Sequence, residues 1–168
     1  INSSLPQKGR IFDLGCGEGV IAKYLAKNKK RIVIGVDSDK KRLPKAKEKN
    51  LSFRIADIRK VSVKNASGVV ISDVLHHLSK KKQKNLLKKI AKGIKKGGVL
   101  VIKEIDSSEF IRSRLSRIWD LILYPQDKID YWNNKELKKF LQNTGFQVKF
   151  SRHCRLFPGS TTLFICIR

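Results

Sequence analysis

Four carboxylates, three glycines and two histidines stand out in this chain, each just behind a short apolar run. The first group is Asp13-Leu14-Gly15-Cys16-Gly17-Glu18-Gly19. Glycines on alternate positions strip the Cβ atoms from one edge of a turn, so a ligand can lie directly against backbone N–H groups there. The spacing is not the G-x-G-x-x-G of dinucleotide-binding turns, because position 20 is Val. Asp37, Asp57 and Asp73 each follow another apolar run, and Asp73 is preceded by Ser72 and followed closely by His76 and His77. Carboxylates so placed accept hydrogen bonds from a ligand's hydroxyl, amino or ammonium groups, and a neighbouring imidazole can take a proton near neutral pH. The bland alternatives are helix capping or a solvated strand end for the acids. For the histidines, they are one ring packed under the following helix and one in solvent.

These residues need a frame. Arg10 to Leu14 reads as a buried strand running into the glycine turn, then a helix on which Val20, Ile21, Tyr24 and Leu25 recur. That helix is expected to end near Asn28, where Lys27 to Arg31 suit the negative end of the dipole. Ile32 to Val36 is a second strand ending at Asp37, and Ser38 or Asp39 suits the cap of a further helix, with Pro44 in its early part and Leu43 and Ala46 inward. Leu51 to Ala56, Gly68 to Ser72 and Val99 to Glu104 make five strands. Before the fifth, Ser79 is placed to cap a helix striped by Leu86, Leu87, Ile90, Ala91 and Ile94, with Gly97-Gly98 as its stop. Strands without polar alternation, joined by helical crossovers, predict an α/β domain with a doubly wound, mostly parallel sheet and helices on both faces. Ligands of such sheets bind beyond the C-terminal strand ends, near the reversal of strand order. All four aspartates fall at such ends.

The last third changes character. Phe110, Ile111, Leu115, Ile118, Trp119 and Ile122 predict a helix broken at Tyr124-Pro125, with a loop from Gln126 to Trp132. Asn133 or Asn134 should cap another helix carrying Leu137, Phe140 and Leu141 and closed by Gly145. Phe146 to Phe150 and Thr161 to Ile167 predict a C-terminal antiparallel hairpin, joined by a loop from Arg152 to Gly159.

Composition sets the outer bounds. With 168 residues, 40% of them hydrophobic, residues 1–168 form a single domain able to bury a real core. No run approaches the ~20 apolar residues of a membrane span, and no secretory leader is present, so a cytoplasmic protein is expected. The chain contains no Met, so Ile1 is not a natural start and a native N-terminal segment is open to being missing. Cys16, Cys154 and Cys166 lack the spacing of a metal site or a disulfide framework, and read as thiols in a reducing compartment. Net charge is +24. Two readings of that charge stand: a polyanionic partner such as RNA, or a generally lysine-rich surface. The excess of Lys over Arg, 27 to 11, suits the second, because base and phosphate recognition favours Arg's planar fork.

From Arg10 to its end the chain closely resembles the class I S-adenosylmethionine-dependent methyltransferases. The resemblance is carried by the glycine turn with Asp13, by Val36-Asp37, Ala56-Asp57-Ile58, Ser72-Asp73-Val74-Leu75-His76-His77-Leu78 and Lys96-Gly97-Gly98-Val99-Leu100. It implies seven strands with the last reversed, and S-adenosyl-L-methionine as cofactor, leaving as S-adenosyl-L-homocysteine. It also implies a cofactor site built from Asp13, Gly15, Cys16, Gly17, Gly19, Asp37, Ser38, Asp57, Ile58, Ser72 and Asp73. In that site the glycine turn would lie along the methionine part and Asp13 would face its ammonium. Asp37 would accept from the ribose hydroxyls, Asp57 from the adenine amino group with Ile58 on the ring, and Ser72 and Asp73 would close the methionine end.

In-line transfer of an activated methyl group needs mainly proximity and orientation, and a base only where the acceptor must lose a proton. His76, His77 and Asp73 are the candidates for that base. Tyr131, Trp132, Arg152, His153 and Arg155 belong to segments expected to overhang the same rim and could shape an acceptor pocket. Their alternatives are an aromatic anchor and surface charge. Neither the Asn/Asp-Pro-Pro-Tyr/Phe motif of exocyclic base-nitrogen methylases nor the Pro-Cys of cytosine carbon-5 methylases is present, and Asp-Val-Leu-His-His-Leu resembles members acting on small molecules. A small-molecule methyltransferase is therefore favoured. The alternatives are an RNA or other polyanion methyltransferase and a non-catalytic binding module of the same fold. Family members often cover the acceptor with helices before the first strand, so a missing cap or a partner subunit is a further expectation.

Overall fold

The fold is that of a computed structural model, which describes residues 1–105, 130–156 and 159–168. Seven strands form one sheet in the order β3-β2-β1-β4-β5-β7-β6. They are β1 (Gly9–Leu14), β2 (Arg31–Asp37), β3 (Leu51–Ile55), β4 (Ala66–Ser72), β5 (Ile94–Ile105), β6 (Gln147–Leu156) and β7 (Gly159–Ile167). The first five run parallel, β7 is antiparallel to β5, and β6 is antiparallel to β7. The chain steps from β1 outward to β2 and β3, then returns to place β4 on the other side of β1. The reversal therefore lies between β1 and β4, where the C-terminal ends of the two strands open a crevice.

Strand side chains alternate between two cores. Phe12, Leu14, Ile34, Val36, Val69, Ile71, Leu100 and Ile102 face α2 (Lys80–Gly93) and α3 (Asn134–Asn143), with Leu86, Leu87, Ile90, Leu137 and Leu141 covering them. Ile11, Val33, Val70, Val99 and Val101 face α1 (Val20–Ala26) on the other side. Each such side chain contributes about 2 kcal/mol on burial, which makes both faces of the central strands apolar and leaves no alternation to read.

Several elements differ from expectation. No helix follows Asp37: residues 39–48 turn and then run without regular structure, with Leu43 half-buried and Ala46 exposed rather than inward. Pro44 lacks an N–H and pushes the residue before it out of helical geometry, and two apolar residues do not make a stripe. On α1 the buried face is Ala22, Leu25 and Ala26, while Val20 and Tyr24 are exposed, and the helix ends before Asn28. α2 stops at Gly93, not at Gly97-Gly98, which instead form an irregularity inside β5 where the β4 register shifts. Ser79 is the first residue of α2's cap but its hydroxyl makes no capping bond. The Lys80 N–H donates to Asp130 Oδ2 at 2.9 Å, so the cap arrives from far along the chain. Asn133 caps α3, accepting from the Lys135 N–H. β6 and β7 run through the expected Arg152–Gly159 loop, leaving only residues 157–158 between them. The helix expected over 110–122, Tyr124-Pro125 and most of the following loop lie outside the described residues.

Candidate active site

The turn after β1 is built to bring backbone close to a ligand. Gly15 takes φ +76°, and a Cβ there would run into the Val74 side chain of the loop after β4. Only glycine tolerates both demands. Three N–H groups of the turn already have partners within the chain: Gly15 and Cys16 donate to Val36 O at 2.7 and 3.0 Å, and Gly17 donates to Asp37 Oδ2 at 2.8 Å. The expectation that these N–H groups would greet the ligand is thus corrected. The turn supplies steric access and no cradle for an anion.

Asp37 is fixed by that bond and by a second, from the Asp39 N–H to its Oδ1 at 2.9 Å. Its carboxylate is held at the rim with lone pairs to spare. Asp13 is 2% exposed, and its Oδ2 is buried with no hydrogen-bond partner. Burial pushes its carboxyl up to about 7; the Ala22 backbone N–H opposes this and the negative charge of Asp37 adds to it. Such an oxygen is suited to a donor from outside the chain. Burial also raises the Cys16 thiol to about 12, with Asp13 and Asp37 adding to the rise, so it stays protonated.

Asp73 adopts φ +56°, a left-handed conformation uncommon outside glycine and frequent at functional turns. Its Oδ2 accepts from Lys103 Nζ at 2.6 Å and from Ser72 Oγ at 3.0 Å. Asp57 is covered by Arg59, whose Nε donates to both carboxylate oxygens at 2.8 Å. This bond holds the Asp57 carboxyl below its usual range.

One cleft of about 1030 Å³ gathers these groups. Asp13, Gly15, Cys16, Gly17, Asp37, Ser38, Asp57, Ile58, Ser72, Asp73, His76 and His77 all line it. Of the expected cofactor residues only Gly19 does not: it opens α1 at φ +71°, packed against Phe53 and Pro44. Trp132 is also corrected. It is 5% exposed in the core, its ring 5.6 Å from Phe140 and 4.1 Å from Lys80 Nζ, away from the cleft wall. Tyr131 stands beside the site, its ring 5.4 Å from that of His76. Arg152 and Arg155 stand in β6, opposite Leu163 and Ser160 of β7.

Sequence reasoning missed Glu104, Arg42 and Arg59. Glu104, 4% exposed, accepts from the N–H groups of Val74 and Leu75 and meets His76 Nδ1 at 2.7 Å. An acid inside the apolar run of β5 was the signal for it. Arg42 and Arg59 enter the cleft from irregular segments, where no pattern points inward.

The residues present fit the cofactor implied by the resemblance: an orphaned buried carboxylate oxygen for an ammonium, a turn without Cβ atoms, and a backbone-anchored carboxylate for a diol. Comparison with known proteins agrees. Residues 2–149 match the family described as methyltransferase domain. The chain is 30% identical over 115 residues to the carboxy-S-adenosyl-L-methionine synthase of Shewanella sediminis, covering 61% of this chain and 47% of that protein. The chain thus spans about half the length of the curated relatives it matches. Its fold is similar to magnesium protoporphyrin IX methyltransferase from Synechocystis with bound S-adenosylhomocysteine (TM-score 0.77, 18% identity, 96% of this chain and 75% of that one). It is also similar to an S-adenosylmethionine-dependent methyltransferase from Mesorhizobium loti (TM-score 0.79, 17% identity, 99% and 94%). With its strand order, its glycine turn and a family match running through residues 2–149, the chain belongs to the S-adenosylmethionine-dependent methyltransferase family.

Proposed function

We propose that the chain moves a methyl group from S-adenosylmethionine to an oxygen, nitrogen or carbon atom of a small-molecule acceptor. The observation that carries this reading is that Asp13, with its unpartnered buried oxygen, the anchored Asp37 and His76 all line one cleft. The cofactor supplies a methyl group already activated on a positively charged sulfur. The protein's residues bind and orient: Asp13 Oδ2 takes the ammonium, Asp37 the ribose hydroxyls, and Ile58 the adenine face, with Asp57 at the adenine edge beneath Arg59.

A small acceptor fits the cleft better than a nucleic acid strand. Its volume sits at the upper end of the ~300–1,000 Å³ range of small-molecule sites, enough for a cofactor and a modest second ligand. Six acidic residues line it (Asp13, Glu18, Asp37, Asp39, Asp57 and Asp73) against Arg42, Arg59 and Lys82, a balance that disfavours a polyanion in the cleft. Among the three candidates for a base, Asp73 is engaged by Lys103, and His76 is the group a buried carboxylate holds in place.

Calorimetric titration with S-adenosylmethionine, on the intact chain and on Asp37→Ala, tests the reading. Removing a charged acceptor of two hydrogen bonds should weaken a micromolar affinity roughly 100-fold, about 2.7 kcal/mol. Absence of binding by the intact chain would sink it.

A further inference from the structure

The lysines of this chain are not spread evenly. Between Asp73 and Glu104 there are ten lysines and no acid. On α2 the core face is Gln83, Leu86, Leu87, Ile90 and Ala91. Lys81, Lys84, Lys88 and Lys92 are exposed and fall, by helical spacing, on the face opposite that stripe, along a ridge about 16 Å long. α3 repeats the pattern: Leu137 and Leu141 are buried, and Lys135, Lys138 and Lys139 are exposed on the other side. We propose that this α2–α3 face is a docking surface for the phosphate backbone of a nucleic-acid duplex, separate from the cleft.

The two ridges form one surface because the helices cover the same face of the sheet and are tied at both ends. At their starts, Lys80 Nζ donates to Tyr131 O at 2.6 Å and lies 4.1 Å from the Trp132 ring, just ahead of α3. At their ends, Arg168 donates from Nε to Ala91 O at 2.8 Å and from Nη1 to Gly145 O at 2.9 Å. Glu136 is the one acid on either helix. The arrangement works against the helix that carries it. Lys84, Lys88 and Lys92 repel one another at i,i+4 spacing. The first turn of α2, where the dipole favours acids, holds Lys80, Lys81 and Lys82 and no acid. Local rules broken together on one exposed face suit a partner that brings the missing negative charge.

The residues on the face select among polyanions. Its cations are lysines, point charges without the planar fork that reads base edges, so the contact is to phosphate and independent of sequence. A lipid surface takes an amphipathic helix through exposed apolar side chains. The large exposed ones here, Val20, Tyr24, Ile32 and Ile55, all lie outside α2 and α3. A single strand is held by stacking its bases on aromatic rings. Trp132 is buried and Phe140 half-buried, so the face offers no exposed ring. A rigid array of phosphates is what remains. Lys82, in the first turn of α2, lines the cleft, so a duplex on this face lies beside the cleft rim while the acid-lined interior stays clear of it.

Fluorescence anisotropy of a labelled duplex of about 20 base pairs, in RNA and in DNA form, tests this on the intact chain across ~50–200 mM salt. The wild type should bind both with a Kd of about 10⁻⁵ M or tighter at ~0.1 M salt, within about tenfold of each other, because lysines read charge and not the sugar. Two triple variants remove the ridges in turn: Lys81→Gln with Lys88→Gln and Lys92→Gln, and Lys135→Gln with Lys138→Gln and Lys139→Gln. Each should weaken binding roughly tenfold or more and flatten the slope of log K against log salt by about 2. Lys27→Gln with Lys29→Gln and Lys30→Gln removes the same charge at the end of α1, across the sheet, and should change affinity less than about threefold. An equal loss in that control means diffuse charge and overturns the proposal. So does either ridge variant matching the wild type, tighter binding of a single strand than of the duplex, or a wild-type Kd weaker than about 10⁻⁴ M. Binding to phosphatidylserine vesicles without binding to either duplex assigns the face to lipid and overturns it too. The measurement uses no cofactor, so its failure leaves the methyl-transfer reading standing, and failure of S-adenosylmethionine to bind leaves this one standing.

Discussion

Asp13→Asn should stabilise the protein at neutral pH while removing its affinity for the cofactor. In the fold the Asp13 carboxyl is raised to about 7, chiefly by burial, from its ordinary 3.8. A raised acid costs stability wherever it is ionised. Below pH 3.8 it is protonated in both folded and unfolded chains and costs nothing. Between 3.8 and 7 the unfolded chain has lost a proton that the folded chain keeps, so stability falls as pH rises. Above 7 both are ionised and the full penalty stands, on the order of 4 kcal/mol for about three pH units. Asn removes the titration but buries an amide that also lacks a partner, costing ~1–3 kcal/mol, so a net gain of about 1–3 kcal/mol is expected at pH 8 and none at pH 4.5. Urea unfolding of both proteins across that window measures it. If the difference between them does not grow with pH, the buried-acid argument is wrong. S-adenosylmethionine titration at pH 8 supplies the second half: the variant should lose binding although it is the more stable protein. Wild-type binding at pH 6 should release close to one proton, read from heats in two buffers of different ionisation enthalpy.

Trp132→Ala should cost about 3–5 kcal/mol of stability by emptying a core position, and at temperatures where it stays folded it should leave cofactor affinity unchanged, since the ring lies away from the cleft. Gly15→Ala, forced to φ +76° and into Val74, should destabilise by about 2 kcal/mol or more, measurable by thermal unfolding. Arg59→Ala uncovers Asp57 at an exposed ion pair; unfolding should be unaffected, while S-adenosylmethionine binding tightens a few-fold if Asp57 is an adenine contact, and an unchanged affinity would remove Asp57 from the site.

What the sequence made legible followed from the backbone. Asp13, Asp37, Asp57 and Asp73 end or follow β1, β2, β3 and β4, and a strand's end can be read from where its apolar run stops. Their meeting in one cleft follows from parallel strands with right-handed crossovers. Residues with long-range partners were not legible in the same way. Nothing near Lys80 says that its N–H is capped by Asp130, because the capping acid lies 50 positions away. Trp132 looked like a loop aromatic because its burial depends on Phe140 and on α2, not on its neighbours in sequence. The helix expected after Asp37 failed for a local reason that Pro44 and its lysine-rich surroundings already contained. Arg42 and Arg59 reach the cleft from segments without periodicity, where side-chain direction has no sequence signature.

The charge of this protein makes sense only when divided. Net charge is +24, yet six of the 14 acidic residues line one cleft and a seventh, Glu104, supports it. A lysine-rich exterior is screened within about 8 Å at physiological ionic strength, whereas carboxylates on low-dielectric walls act at contact. The glycine turn points the same way. In dinucleotide-binding domains the N–H groups of the equivalent turn meet a pyrophosphate, but here Gly15, Cys16 and Gly17 spend theirs on Val36 and Asp37. A fold that elsewhere greets phosphate thus presents carbonyls, carboxylates and an unpartnered Asp13 oxygen. That arrangement disfavours an anion and, on the proposed reading, suits a ligand carrying an ammonium and a sulfonium.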